Sequence, residues 1–319
     1  MPQVKRLAIL DDYQDVTLRL GPWDRLPHLE TVVFRDTLAE EDAIAARLAG
    51  FDAVLAMRER TPFPASLLAK LPDLKLLITT GERNRGIDAA ACAARGITFC
   101  GTPSFGAPTV DLTWALILGL ARRIPEQQAA LRAGQWQTAI GTGLEGKTLG
   151  LLGFGKLGRR VAAVGQALGM RVVAWSANLT EDAAAAGGAA LVSKEALFRD
   201  SDVVSIHYIL SERSRGLVGA AELALMKPTA LLVNTSRGPI VEQEALLAAL
   251  HEGRIGGAGI DVYDVEPLPS GHPLLAAPRT LLTPHLGYST EENYRAYFAG
   301  AVEAIEAFER GAPVRVING

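Results

Sequence analysis

Four short segments of this chain carry polar side chains of kinds that do chemistry, and each stands directly behind an apolar run. They are Ser205-Ile206-His207, Asn234-Thr235-Ser236-Arg237-Gly238, the stretch from Gly259 to Pro267 that contains Asp261 and Glu266, and Thr283-Pro284-His285-Leu286-Gly287. Short apolar runs of this kind read as buried strands of a parallel sheet, and ligands of open α/β sheets bind beyond the carboxyl ends of the strands. An arginine there can grip a carboxylate through two parallel N–H bonds. A histidine can pass a proton near neutral pH. A glutamate beside that histidine favours the imidazolium and orients its ring. Arg237, Glu266 and His285 therefore make a set for proton transfer to or from an anionic substrate. Each also has a plain reading: Arg237 as a turn residue, Glu266 as a solvated loop acid, His285 as a strand-end histidine bonded to backbone. Their joint placement behind successive strands favours the catalytic reading. His207 is the weakest case and is retained as a cofactor-pocket residue.

The same half of the chain contains Gly153-Phe154-Gly155-Lys156-Leu157-Gly158, a GxGxxG. By itself that pattern says little. Here it follows the strand-like TLGLL and opens the helical KLGRRVAAVGQAL. In that setting the first glycine permits the turn, the second lets a pyrophosphate approach the backbone, and the third allows close helix–strand packing. The helix start then offers N–H groups to the phosphates. About twenty residues further on, a carboxylate ordinarily reads the adenosine ribose. That position, at the end of RVVAW, is Ser176, with Asn178 close behind. Without a carboxylate, nothing repels a 2′-phosphate, so the expected cofactor is NAD or NADP. No arginine follows Ser176 to clamp such a phosphate; Arg159 is the one candidate to reach across.

The elements that must position these residues alternate along the whole chain. Apolar runs at 7–10, 32–34, 53–56, 76–78 and 97–99 alternate with helical patterns, and a long helical stretch over 107–133 follows. Further runs lie at 148–152, 171–175, 203–206, 230–233, 258–260 and 281–283, and a last helix spans about 291–310. This is an α/β chain of two domains with parallel sheets. A length of 319 residues agrees with two domains, and 49% hydrophobic with 21% charged residues is a globular composition. A net charge of −3 gives no reason to expect nucleic acid or an anionic membrane as partner. No apolar stretch reads as a signal peptide or membrane span. The two cysteines have no metal-binding spacing and suggest a reducing compartment, so a cytoplasmic protein without a metal is expected.

With these residues in place, the sequence resembles the D-isomer-specific 2-hydroxyacid dehydrogenases over nearly its whole length. TTGERNRGIDAAACAARGI looks like the family's substrate loop and following helix. GTPSFGAPTVDLTWALILGLARR resembles its interdomain helix, with Asp111 where an acid is expected. LGLLGFGKLGRRVA is similar to its dinucleotide motif, DVVSIHYILSERSRGLVG to the next segment with Ile209 in place of a proline, and LMKPTALLVNTSRGPIVEQEAL is the most specific match. The resemblance implies that Arg237, Glu266 and His285 are catalytic and that Asp261 binds the nicotinamide carboxamide. Gly153, Gly155, Lys156, Leu157, Gly158, Ser176, Asn178, His207 and Thr235 are expected around the cofactor.

On the substrate side, Gly81 and Glu82 stand where the family offers backbone N–H groups to the substrate carboxylate. Arg58 is expected near the substrate's far end. Tyr288 departs from the family, which commonly carries a glycine there. The implied architecture is two Rossmann-like or flavodoxin-like domains, the cofactor domain at 101–284 inserted into a discontinuous substrate domain at 1–100 and 285–319, with a hinge at the two crossings. The implied substrate is a small 2-oxo acid or 2-hydroxy acid, and the implied assembly is a homodimer through the cofactor domain. The competing reading is a nicotinamide-sensing, corepressor-like binding protein of the same fold; the complete Arg237, Glu266 and His285 set argues against it.

Overall fold

The computed structural model describes residues 3–318. The chain forms two compact units: one comprises the chain as far as Phe105 and again from Ser289, the other Gly106–Tyr288. These crossings lie four or five residues later than the expected ones. His285 consequently falls in the second unit and not at the start of the returning segment, because its backbone is bonded to Asp261 of that unit.

In the first unit, β1 (Arg6–Ile9), β2 (Glu30–Val33), β3 (Ala53–Ala56), β4 (Leu76–Thr79) and β5 (Thr98–Gly101) form a parallel sheet in the order β2-β1-β3-β4-β5. That is the flavodoxin-like order. Strands β3 and β4 read AVLA and LLIT and are buried at every position, as expected of central strands covered on both faces. The final helix, Glu291–Glu309, belongs to this unit. Its buried Tyr294, Tyr297, Phe298, Ala301, Val302 and Ile305 recur at three- and four-residue spacing, which puts them on one helix face.

In the second unit, β6 (Thr148–Leu152), β7 (Arg171–Trp175), β8 (Ala190–Leu191), β9 (Val203–Ile206), β10 (Leu231–Asn234), β11 (Gly257–Ile260) and β12 (Thr280–Leu282) form a parallel sheet in the order β12-β11-β10-β9-β6-β7-β8. Counted within the unit, this is the dinucleotide-binding order 3-2-1-4-5-6 with one strand added. The order reverses between β6 and β9, which opens a crevice at their carboxyl ends. Strand β8 has no counterpart in the sequence reading: two residues at a sheet edge leave no periodic signal. The helical stretch expected over 107–133 is two helices, Ala107–Ala121 and Ile124–Arg132. Arg123 between them adopts φ 53, and Pro125 has no N–H with which to continue the first helix. Among the described residues, no helix is long and apolar enough to cross a membrane.

Candidate active site

The crevice is shaped by the glycine turn. Gly153 directly follows β6 and adopts φ +98, a conformation that side chains strain. A Cβ there would collide with the His207 carbonyl at the end of β9, and one on Gly158 would collide with the Gly153 oxygen. A Cβ on Gly155 would meet nothing within 4 Å. Gly153 and Gly158 thus close the turn, while Gly155 leaves bare backbone facing open space. Gly155 is also the N-cap of the helix Lys156–Ala167 and supplies no side-chain cap. The first-turn N–H groups of Lys156, Leu157 and Gly158 have no carbonyl within the helix to bond. Bare backbone beside a positively polarised helix start fits the pyrophosphate of a dinucleotide.

Around this turn the other expected cofactor residues take varied positions. Ser176, just past β7, is half-buried and Asn178 is exposed, in a turn closed by Leu179 N–H donating to the Ser176 carbonyl at 3.0 Å. The Ala177 N–H donates to the Tyr208 hydroxyl at 3.2 Å, and the Tyr208 ring stacks on Trp175 with centroids 6.1 Å apart. Arg159 does not clamp the Ser176 turn: its Nη2 donates to the Ala183 carbonyl at 3.0 Å and its guanidinium covers the Phe154 ring. His207 Nε2 lies 2.9 Å from Ser205 Oγ, and burial pushes the imidazole down to about 4, so it stays neutral at physiological pH. Thr235 is buried with its hydroxyl 2.8 Å from that of Thr113.

Arg237, Glu266 and His285 stand on the loops after β10, β11 and β12 respectively. Glu266 and His285 come together, with Oε2 2.6 Å from Nδ1, while Glu266 Oε1 accepts the Tyr263 N–H at 2.9 Å. The Tyr263 hydroxyl has one proton to give and lies 3.2 Å from the Ile260 carbonyl and 3.0 Å from the Thr283 carbonyl; burial, with Asp261 and Glu266 nearby, pushes it up to about 12. Arg237 follows a loop fixed by Asn234, whose amide donates to the Arg237 carbonyl and accepts from the Ser236 N–H. Its Nη1 donates to the Ser236 carbonyl at 2.7 Å. Gly238 packs directly on the Tyr263 and Asp264 backbone, where a Cβ has no room, so the loops of Arg237 and Glu266 are in contact.

Asp261 is fully buried. Its Oδ1 accepts the Thr283 hydroxyl at 2.6 Å and the Leu286 N–H at 2.7 Å, and its Oδ2 accepts the Gly287 N–H at 2.9 Å. Its carbonyl accepts the His285 N–H at 2.8 Å. Burial pushes the carboxyl above the usual carboxylate range, and these donors and His285 oppose that. The bonds hold His285 at φ 53, outside the comfortable range of a residue with a Cβ.

In the first unit, Arg58 also adopts a positive φ of 54; its N–H donates to the Thr80 hydroxyl at 2.9 Å and its Nη1 to the Thr80 carbonyl. The Gly81 N–H, expected to face a substrate carboxylate, donates instead to Thr102 Oγ1 at 2.8 Å, because β4 and β5 end side by side there. Glu82 is exposed. Sequence reasoning overlooked Thr109 and Thr113, whose hydroxyls bond the Gly287 carbonyl and Thr235. Two threonines four residues apart in the otherwise apolar APTVDLTWALILGLA were the available signal.

Sheet order and glycine turn are those of a dinucleotide-binding α/β protein, with a bonded glutamate–histidine pair, Glu266 and His285, at the carboxyl edge of its sheet. The family described as D-isomer specific 2-hydroxyacid dehydrogenase, NAD binding domain, matches residues 114–287. Glyoxylate reductase of Aeropyrum pernix is 36% identical over 98% of this chain and 92% of its own. Glycerate dehydrogenase of Methylorubrum extorquens is 34% identical over 98% and 99%. The crystal structure of phosphoglycerate oxidoreductase from Vibrio cholerae superimposes with a TM-score of 0.92 at 37% identity, over 97% of this chain and all of that one. The chain belongs to the D-isomer-specific 2-hydroxyacid dehydrogenase family, and its seven-stranded unit is the family's NAD-binding domain.

Proposed function

We propose that the protein interconverts a small 2-oxo acid and its D-2-hydroxy acid, with His285 and Glu266 moving the proton and Arg237 holding the substrate carboxylate and carbonyl. The observation that carries this is the 2.6 Å contact of Glu266 Oε2 with His285 Nδ1. It fixes the ring and leaves Nε2 as the nitrogen that exchanges a proton with the substrate oxygen. A bound nicotinamide supplies or accepts the hydride. Arg237 contributes a planar fork suited to a carboxylate beside a carbonyl. Among the names of relatives, glyoxylate reductase, glycerate dehydrogenase and hydroxypyruvate reductase all describe enzymes of two- or three-carbon acids, and a substrate of that size is proposed here. Arg58 and the Glu82 N–H are assigned to substrate binding in the same reading.

For the cofactor we propose NAD with tolerance of NADP. Ser176 keeps one hydroxyl for the ribose and removes the charge that would repel a 2′-phosphate, while Arg159 is committed elsewhere. We further propose a homodimer. Leu131, Trp136 and Ile140, in and after the helix Ile124–Arg132, are 57%, 78% and 92% exposed, an apolar strip that a second copy would cover. Sedimentation of the purified protein checks the assembly. The function is tested by following oxidation of NADH and NADPH with glyoxylate, hydroxypyruvate and pyruvate. Turnover of at least one is expected; binding of cofactor without turnover of any 2-oxo acid would favour the sensing protein.

A further inference from the structure

The turn that carries His285 is gripped from a helix that holds none of the expected acid–base residues. Gly287 donates its N–H to Asp261 Oδ2 at 2.9 Å, and its carbonyl accepts the Thr109 hydroxyl at 2.8 Å. One peptide segment is thus held on both sides. A Cβ on Gly287 would lie 3.2 Å from Asp261 Oδ2 and 3.4 Å from Thr109 Oγ1, so the glycine permits the close approach of both. Four residues on, the Thr113 hydroxyl contacts the Thr109 carbonyl at 2.7 Å and Thr235 Oγ1 at 2.8 Å. A hydroxyl has one proton. With Thr113 donating to the Thr109 carbonyl, Thr235 donates to Thr113. Two threonines a turn apart on the helix Ala107–Ala121 therefore bind the His285 turn and the loop that leads from Thr235 to Arg237.

We infer that Thr109 is a positioning residue for the proton transfer: its hydroxyl locks the Gly287 peptide and so holds His285 in line with its substrate. This rests on the reading of His285 as the acid–base group. The reason the lock matters is the φ of 53 at His285. A residue in that conformation stays there only while its surroundings over-determine it. Asp261 supplies acceptors on one side of the turn. Thr109 supplies a hydroxyl donor on the other, at Gly287, two residues from His285. Loss of that donor frees the Gly287 carbonyl, loosens the turn and lets the ring drift, although Glu266 still bonds Nδ1. Misplacement of a reacting group by about 1 Å costs on the order of a hundredfold, so partial loosening is expected to cost about tenfold.

The test uses the full-length protein carrying Thr109→Val, Thr109→Ser, Thr109→Ala or His285→Ala. Valine keeps the volume and removes the hydroxyl; alanine removes the hydroxyl without valine's branched bulk, so poor packing of one does not decide the matter. Thr109→Val and Thr109→Ala are expected to lower kcat about tenfold with KM for the 2-oxo acid changed by less than about twofold, and Thr109→Ser to restore kcat to within about twofold. Amide hydrogen exchange of Leu286 and Gly287 in the free protein is expected to quicken about tenfold in the valine and alanine variants and not in the serine variant. Wild-type kcat and exchange in both variants lacking the hydroxyl would overturn the inference, as would a loss that serine does not restore or a change confined to KM. If His285→Ala keeps full kcat, the acid–base reading fails instead, and the exchange rates still report separately on the lock.

Discussion

Glu266 and His285 stand nineteen residues apart in the chain and meet with Oε2 2.6 Å from Nδ1. The pair is partly open to solvent, with 30% and 22% of the two side chains exposed, which suits a group that must meet a substrate. General acid–base catalysis typically contributes roughly 10²–10⁴-fold. His285→Ala is therefore expected to lower kcat by about that factor while cofactor binding, measured by fluorescence titration, stays near wild type. A variant that keeps its turnover would remove His285 from the mechanism.

Replacing the glutamate tests the pair from its other side. Glu266→Gln keeps the shape and removes the negative charge next to the ring, so the imidazolium loses its stabilising neighbour. Reduction needs a proton from that ring held in place, so Glu266→Gln should lower kcat, with a smaller loss than His285→Ala causes. A kcat identical to the wild type would show that the contact has no part in proton transfer.

Arg237 is expected to matter through binding of the transition state. Truncating one partner of a buried, hydrogen-bonded charge pair costs about 2–5 kcal/mol, so Arg237→Ala should lose kcat/KM in proportion. Arg237→Lys should recover little, because an ammonium cannot reproduce the planar fork. Near-normal kcat/KM in the alanine variant for every active 2-oxo acid would disprove the assignment.

His207 makes a prediction about stability. Burial lowers its imidazole from 6.5 to about 4, so between those values the folded protein binds fewer protons than the unfolded chain. The contribution is present above pH 6.5 and is lost as pH falls toward 4. Because the residue is only half-buried, about 1–3 kcal/mol is expected. Urea unfolding at neutral pH and near pH 4.5 measures it: His207→Gln should lose less stability on acidification than the wild type. Equal losses would mean that the imidazole titrates normally.

Ser176→Asp tests cofactor choice. A carboxylate there would bond the ribose hydroxyls and repel a 2′-phosphate, and should swing preference toward NADH by roughly 1–3 kcal/mol. Kinetics with both reduced cofactors give the answer. A wild type that already strongly prefers NADH, with no response to the substitution, would show that Ser176 does not read the ribose.

Much of the scaffold was legible because parallel strands buried on both faces are plain apolar runs: AVLA, LLIT and TLGLL are visible without periodicity. Glu266 and His285 were legible for a related reason, since each follows a strand and the sheet order brings strand ends together. What stayed hidden depends on geometry that spacing does not encode. Resemblance assigns the Gly81 N–H to a substrate carboxylate, and only the parallel register of β4 with β5 reveals Thr102 beside it. The bonds of Asp261 to residues 283–287 leave no mark in the sequence, because they form only with His285 at its positive φ. Thr109 and Thr113 look like ordinary helix residues until the facing loops are seen.

In the proposed reaction a 2-oxo acid is reduced to the D enantiomer with a proton from His285. Chiral chromatography of the glycerate and lactate formed from hydroxypyruvate and pyruvate, in wild type and His285→Ala, tests it most directly. D product alone is expected from whichever acid is accepted, with a rate in His285→Ala lower by roughly 10²–10⁴-fold. L or racemic product, or an undiminished rate in the variant, would contradict it.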